Sequence, residues 1–595
     1  MTYPPTAEGE ARWIAPCRPG SEHLDNASIL SDPLRLLERS LVAIIVMMFA
    51  LALHRSFVAN VNWDEFYYLS FVHRYRNGLL SIPLQSLHVH AFGWLPLVSD
   101  DELHQVFAAR TALWLLSLAS CWLIYGIARR FCSRAAALMS VLFYFGFSYV
   151  ADHGLSFRSD PICAFLFLAA LFFLLDWDHW RYRVPIAAFL MAVAVMVSIK
   201  SVFYLGTIGT MFAGLFLIEP DRSAIVRKAL IFAVAFAGSL AVVYQVHSHL
   251  LAGGAATDPD AFVRSAGAKT LLSSPLLPRI NIIRNALFQN GPIWVLLALG
   301  LAKAGHEMTA GRGRRDAVVL LSFAVPLLSL LIYRNAYPYF FVLLMPAAVI
   351  LGGYFADFLI ARCQTADSKI ALAVLVGTVL MVSGSVVVDY LKKLPDETVA
   401  QAEIVATVHR LFPDPVAYID RNSMIASYPK VGFFMSSWGM ENYLAGNRPI
   451  MEDLIRREQP VFLLANSCAL ELSRQPTEDP DLCPLRLLDA DFEILRDNFV
   501  HHWGAIYVAG KTFQLEAQAK PQFFEVLIPG VYTLEAAAPA SIDGKTYRPG
   551  DPVTLDQATH AISATGGAMR VLLRWGQGLY RPDHEPSLQP IYKDL

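Results

Sequence analysis

The feature that most constrains this chain is a recurrence of long apolar stretches. A first run at about 41–53 is followed by others near 107–126, 134–151, 161–176, 186–199, 202–218, 228–247, 291–302, 317–333, 338–360 and 369–388. A helix needs about 20 apolar residues to cross hydrocarbon, and within that layer only helices and closed barrels satisfy every backbone group. The pattern predicts an α-helical polytopic membrane protein with about eleven transmembrane helices. Only 16% of the residues are charged and 55% are hydrophobic, whereas about a quarter of an ordinary soluble domain is charged. A formal net charge of -2 without a basic arm argues against a nucleic-acid partner.

Charge in the loops gives an orientation. Residues 1–39 are polar, carry Pro4, Pro5, Pro16, Pro19 and Pro33, and end in Arg35, Glu38 and Arg39. With no small-residue cleavage site after the first run, they read as a cytoplasmic tail before a retained span. Every second loop is then basic: Arg129, Arg130 and Arg134; Arg181 to Arg183; Arg222 to Lys228; Lys303 to Arg315; Arg362 to Lys369. Cytoplasmic loops carry such an excess. The opposite loops and everything after about 390 fall outside, which in a bacterium is the periplasm.

The expected domains are a tail over 1–39, a membrane domain over 40–390, a periplasmic mixed α/β region over 395–520 and a small β-rich domain over 521–595. Candidate strands at 416–420, 461–464, 505–508 and 523–528 are mixed with a helical stretch at 399–411. From Gly530 the strands come at short intervals with turn signals at Asp543-Gly544 and Pro549-Gly550, as in a small β-sandwich. Cys468 and Cys483 both lie in this tail, and an oxidising compartment permits a bridge between them. Whether they pair is open at this stage.

Candidate chemistry gathers in the outer loops. Asn62-Trp63-Asp64-Glu65-Phe66-Tyr67-Tyr68 sets two acids among aromatics just after the first span, where carboxylates are costly. A catalytic base with a helper and a solvated helix start both fit it. The same loop holds His88-Val89-His90, ligand-competent for a metal only on an extended backbone, with a phosphate or hydroxyl partner the alternative. Its segments 79–84 and 91–97 read as short interfacial helices. In the next outer loop Arg158 is placed to hold a phosphate, while Asp160, just before Pro161, suits a helix N-cap. Arg264, Lys269, Arg279 and Arg284 form a cationic group suited to an anionic ligand, against the alternative of a solvated loop. Lys200 interrupts two apolar runs and either snorkels or lines a cavity. Arg334, Tyr337 and Tyr339 open a late span, the tyrosines being interface belt or site.

These residues resemble the GT-C superfamily of polyprenyl-phosphate-sugar-dependent glycosyltransferases, in the branch of protein O-mannosyltransferases and aminoarabinose (lipid A) transferases. Four pieces carry the resemblance: Trp63 to Tyr68, Phe107 to Arg110, Arg158 to Pro161, and Tyr337-Pro338-Tyr339 leading to Pro346. It implies a membrane enzyme that takes a sugar from a lipid phosphate carrier and attaches it to a lipid, glycan or protein acceptor. Asp64 matches the essential first-loop acid, expected as general base, and Glu65 the acid that follows it. Asp160 matches a second-loop acid near the donor. His88 or His90, and Arg334, stand where aminoarabinose transferases place a lysine, or a lysine or histidine. A sugar phosphodiester carries its own leaving group, so one base and several cations suffice. The residues name no certain cofactor, and dependence on a divalent metal stays open. A lipid-linked-sugar flippase or transporter and a non-catalytic polysaccharide-assembly subunit are the competing readings.

Overall fold

The computed structural model describes residues 32–176, 179–251, 276–366, 368–473, 483, 485–517 and 520–593. The chain divides into two compact units. One comprises Met1–Phe57, Tyr75–Gly93 and Ala109–Pro395; the other comprises Val58–Arg74, Trp94–Ala108 and Asp396–Leu595. Residues 58–74 and 94–108 of the first outer loop therefore fold with the tail.

In the first unit every apolar stretch is helical over at least part of its length. Among the described residues seven helices are long and apolar enough to cross a bilayer, or eight when Ile280–Gln289 and Gly291–Ala310, bent by 95°, are joined. The difference from eleven lies in short, enclosed helices. The 134–151 stretch breaks at Gly146 and Phe147 into Arg134–Phe145 and Ser148–His153, and 317–333 becomes Arg314–Ser322 followed by a 3-10 segment, Val325–Leu331. Ten of the twelve residues of Arg134–Phe145 are buried. Apolar content reports burial as well as lipid contact, so a stretch reads the same in the sequence whether its helix is long or short.

The helix Phe340–Ala366 is the centre of this unit, with 78% of its apolar window buried. Close approach depends on glycine: a Cβ at Gly300 would meet the Leu351 carbonyl oxygen at 2.0 Å, and one at Gly353 would meet Ser140 Oγ at 1.9 Å. Small residues of this kind let membrane helices touch backbone to backbone. Pro346 lies inside the central helix and has no N–H to offer the carbonyl four residues earlier. Buried Tyr144 fills that role, its Oη donating to Val342 O at 3.1 Å, and buried Tyr204 Oη donates to the next carbonyl, Leu343 O, at 2.5 Å.

Loops expected to be cytoplasmic meet one another through Arg315–Glu219 (3.5 Å), Arg227 over Trp180 (5.0 Å) and Asp357 accepting from Ser133 N (2.8 Å). At the opposite helix ends Lys393 Nζ pairs with Asp152 (2.7 Å) and Asp389 (2.9 Å), and Arg55 pairs with Asp152 (3.2 Å).

The second unit begins its sheet with three short parallel strands, β1 (Tyr418–Ile419), β2 (Lys430–Val431) and β3 (Phe462–Leu464). Next come β4 (Phe499–Trp503), β5 (Ile506–Leu515), β6 (Gln522–Glu525), β7 (Gly530–Ala536), β8 (Ala540–Ile542), β9 (Lys545–Tyr547), β10 (Pro552–Leu555), β11 (Thr559–Ala564) and β12 (Met569–Trp575). The larger sheet runs β10-β7-β12-β5-β3-β1-β2 with β4 on β5, and a second runs β6-β11-β8-β9. Phe513, Leu534, Ile542, Val553, Ile562 and Leu573 form one buried cluster shared by the two sheets. The two-residue turn between β8 and β9 uses Asp543 (φ 49°) and Gly544 (φ 80°), the left-handed pair a tight hairpin requires. Cys468 and Cys483 are bonded across a Cα separation of 5.7 Å.

Candidate functional site

In the second unit, Asn62 to Glu65 build the first turn of the helix Trp63–Arg76. Asn62 Oδ1 accepts from Asp64 N and Glu65 Oε1 accepts from Asn62 N, each at 3.0 Å. This reciprocal cap satisfies donors that a helix start leaves over. Glu65 is fully buried and Asp64 half-buried. The acid pair therefore splits: the Glu65 carboxylate is buried and holds the turn, while Asp64 is half-buried.

Residues far away in sequence fix how the chain enters this turn. Gln401 Oε1 accepts from Val61 N (2.9 Å), and its Nε2 donates to Val61 O (2.8 Å) and Ile591 O (2.9 Å). Asn422 Nδ2 donates to Trp63 O at 2.9 Å, and Tyr592 Oη donates to Asn422 Oδ1 at 3.0 Å. The Arg421 guanidinium lies 3.5 Å from the Trp63 ring centre, and Tyr67 stacks on Phe434 at 4.0 Å. Burial pulls the Arg421 pKa below its usual value, opposed by Tyr592 and Asp64. Arg421 and Asn422 follow β1, and Asn466 follows β3. Asp420 anchors that loop by accepting from Ser423 N and Met424 N (both 2.7 Å), Asn422 N (3.0 Å) and Asn466 Nδ2 (3.1 Å). Burial raises its carboxyl pKa against these donors. Loops at the carboxyl ends of parallel strands are where α/β folds build sites.

In the first unit, Arg158, Asp160, Lys200 and Tyr339 form one cluster. Asp160 is 1% exposed; its Oδ1 accepts from Lys200 Nζ at 2.8 Å, and Arg158 Nε lies 3.6 Å from Oδ2. Arg158 and Lys200 both face the Tyr339 ring, at 3.5 and 4.7 Å from its centre. Tyr339 is parallel to Tyr337 at 5.8 Å, and Arg279 lies 4.2 Å over the Tyr337 ring. Arg279 also donates to the Tyr337 hydroxyl and, at 3.0 Å, to Arg334 O. Three cations thus surround one carboxylate and two stacked phenols. Such a set carries excess positive charge, and aromatic faces hold the guanidiniums flat.

The N-cap expectation for Asp160 does not hold. The helix begins at Ser159, so Asp160 is its second residue, and its oxygen goes to Lys200. Lys200 was expected to snorkel or line a cavity; it sits in the 3-10 turn Ile199–Ser201 as the partner of Asp160. His88 and His90 stand on helical, not extended, backbone, which separates their rings. His88 is buried edge-on against Phe157, while His90 Nε2 lies 2.8 Å from His247 Nδ1, a partner the sequence did not indicate. Burial lowers the His90 pKa. The helix expected at 79–84 is absent, while Val89–Phe92 and Leu95–Leu97 are short helical turns. Arg284 is exposed on Ile280–Gln289, and Arg334 is half-buried. Arg264 and Lys269 lie outside the described residues. Among the described residues no three His, Cys, Asp or Glu side chains gather to hold a metal, and cations already occupy Asp160. That donor set does not suit a divalent ion.

No family model and no curated protein matches the chain in sequence. Solved structures do match in fold. ArnT from Cupriavidus metallidurans bound to undecaprenyl phosphate aligns with TM-score 0.50 and 15% identity over 74% of this chain and 94% of its own. The archaeal oligosaccharyltransferase AglB from Archaeoglobus fulgidus, in complex with an inhibitory peptide and a dolichol-phosphate, aligns with TM-score 0.51 and 10% identity over 93% of this chain and 98% of its own. The chain therefore shares the fold of these membrane proteins, with a carboxy-terminal part of mixed α/β and β-sheet structure.

Proposed function

We propose that this protein is a glycosyltransferase of a bacterial inner membrane, moving a sugar from a polyprenyl-phosphate carrier to a lipid, glycan or protein acceptor at the periplasmic face. The observation that carries this reading is the Arg158–Asp160–Lys200–Tyr339 cluster, with Arg279 on the adjoining Tyr337 ring. Departure of a lipid phosphate develops negative charge on oxygen, and preorganised cations stabilise that charge more in the transition state than in the bound substrate. Asp160 keeps the two nearest cations in place. The fold supports the reading, since two solved structures that share it hold undecaprenyl phosphate and a dolichol-phosphate.

Asp64 is the proposed general base, removing a proton from the acceptor nucleophile as it attacks the anomeric carbon, with Glu65 as the residue that fixes its turn. Arg334, Arg284 and Lys269 remain candidates for contacts to the carrier phosphate, and His88 and His90 for contacts to substrate hydroxyls. The excess of Lys and Arg in alternate loops supports a cytoplasmic face for those loops and a periplasmic one for the cluster. The test is mass spectrometry of envelope lipids and glycans from cells with the wild-type protein, without it, and with Asp64→Asn. Loss of one sugar modification without the protein, and its fall by about 10²–10⁴ in the variant, is the expected result. An unchanged envelope without the protein overturns the function, and full activity of D64N overturns the base.

A further inference from the structure

The helix Arg222–His249 is apolar enough to span a membrane, yet only 6% of its apolar window is buried, the lowest value among the candidate spans. Its outer surface is not smooth. A groove of about 800 Å³ runs along it, bounded by Phe216 of the preceding helix and floored by side chains including Leu230 and Val234. From Arg222 to Ala235 it follows ~20 Å of helix axis at ~1.5 Å per residue, somewhat more than half of a hydrocarbon core ~30 Å thick.

The two ends of the groove differ in chemistry. Leu230 is 60% and Val234 72% exposed along the apolar part. At the other end stand Arg222 and Arg227, both exposed, with Arg222 5.5 Å over the Phe216 ring and Arg227 5.0 Å over the Trp180 ring. Of the nearby carboxylates, Asp221 lies within electrostatic reach of Arg227 and both acids have other partners. Asp221 caps the helix, accepting from Ala224 N at 3.0 Å and Ser223 Oγ at 2.7 Å, and Glu219 pairs with Arg315 at 3.5 Å. Aromatic rings hold two guanidiniums at the head of an apolar channel, where a lipid phosphate and one acyl chain match charge and shape together.

We propose that this groove is a binding site for an anionic phospholipid, its phosphate between Arg222 and Arg227 and an acyl chain along Leu230 and Val234. Each basic residue at the membrane surface favours an anionic headgroup by about 5-fold, so the pair gives roughly 25-fold preference over a zwitterionic one. The site is independent of the proposed transfer chemistry and of the residues assigned to it.

Full-length protein is released from nanodiscs of equal phosphatidylglycerol and phosphatidylcholine, and retained lipids are counted by native mass spectrometry. Wild type is expected to retain phosphatidylglycerol in excess. Arg222→Gln with Arg227→Gln, both at exposed positions, is expected to abolish the excess, and Val234→Trp, which fills the channel and keeps the charges, is expected to lower retention of phosphatidylglycerol. Equal retention of the two lipids by wild type overturns the site, as does an excess that survives the double arginine variant. A wild-type dimer whose lipid count is insensitive to all three substitutions also overturns it, since a second copy then covers the groove.

Discussion

At the scale of single residues, the sequence points to acids and the structure explains what each does. Asp160 is buried and depends on its cations, because a carboxylate removed from water without compensation costs several kcal/mol. Lys200→Met is expected to lower the unfolding free energy by about 3 kcal/mol. Adding Asp160→Asn to it recovers most of that loss, since the uncompensated charge disappears. Thermal unfolding of the detergent-solubilised protein measures both; a double variant no more stable than K200M would show that the pair is not coupled. Glu65 differs from Asp64 in the same concrete way. Glu65→Gln keeps an acceptor for Asn62 N and is expected to retain transfer, whereas Asp64→Asn is not.

At the scale of elements, residues 576–593 act as a strap without regular strand structure. Ile591 O receives Gln401 and Asn60 side-chain bonds, at 2.9 and 3.0 Å, and Tyr592 orients Asn422 toward Trp63 O. Tyr592→Phe removes only the hydroxyl, one of two donors to the buried Asn422 Oδ1, and leaves Asn466 Nδ2 bonded to it at 3.0 Å, at a cost of about 1 kcal/mol. Hydrogen exchange is expected to quicken at 61–66 and not in β5 or β12. A uniform rise across the second unit would mean that the strap only stabilises the fold.

The β-sheet pair offers a pH test. His560 Nδ1 lies 2.7 Å from Asp543 Oδ2. Burial pulls the His560 pKa down, but bonding to Asp543 outweighs it and the net direction is up. Burial pushes the Asp543 carboxyl up, but bonding to His560 and Ala561 N outweighs it and the net direction is down. The histidine contribution is therefore complete below its unfolded pKa of about 6.5 and lost as pH rises through the higher folded value. The aspartate contribution is present above about 3.9 and lost as pH falls through the lower folded value. Local protection of β8 and β11 in the full-length protein should peak between these limits, and His560→Gln should flatten the alkaline fall.

At the scale of the whole molecule, the bridge between Cys468 and Cys483 offers a test of the proposed periplasmic location, because structural disulfides persist where the surroundings are oxidising. The bridge spans a sequence separation of 15, and closing a loop of about that size stabilises by roughly 3 kcal/mol. Trapping thiols in intact cells is expected to find both cysteines oxidised, and Cys468→Ser with Cys483→Ser to lower the unfolding midpoint. Finding both as free thiols in cells would overturn the periplasmic orientation.

The sequence by itself determined the membrane class, the helical stretches, the alternation of basic loops, the β-rich tail and the four motif pieces, because each is written in local composition or periodicity. It pointed to Arg158, Asp160, Arg279, Tyr337 and Tyr339, which do come together in the first unit. Only the tertiary structure decided which stretches are enclosed instead of full-length, since apolarity reports burial whatever does the burying. It alone paired Lys200 with Asp160 and His90 with His247. It alone tied the Asp64 turn to Gln401, Asn422 and Tyr592, residues more than 330 positions away. Contacts that distant leave no local pattern: an amide or a phenol in a tail reads the same whether it faces water or holds a helix start.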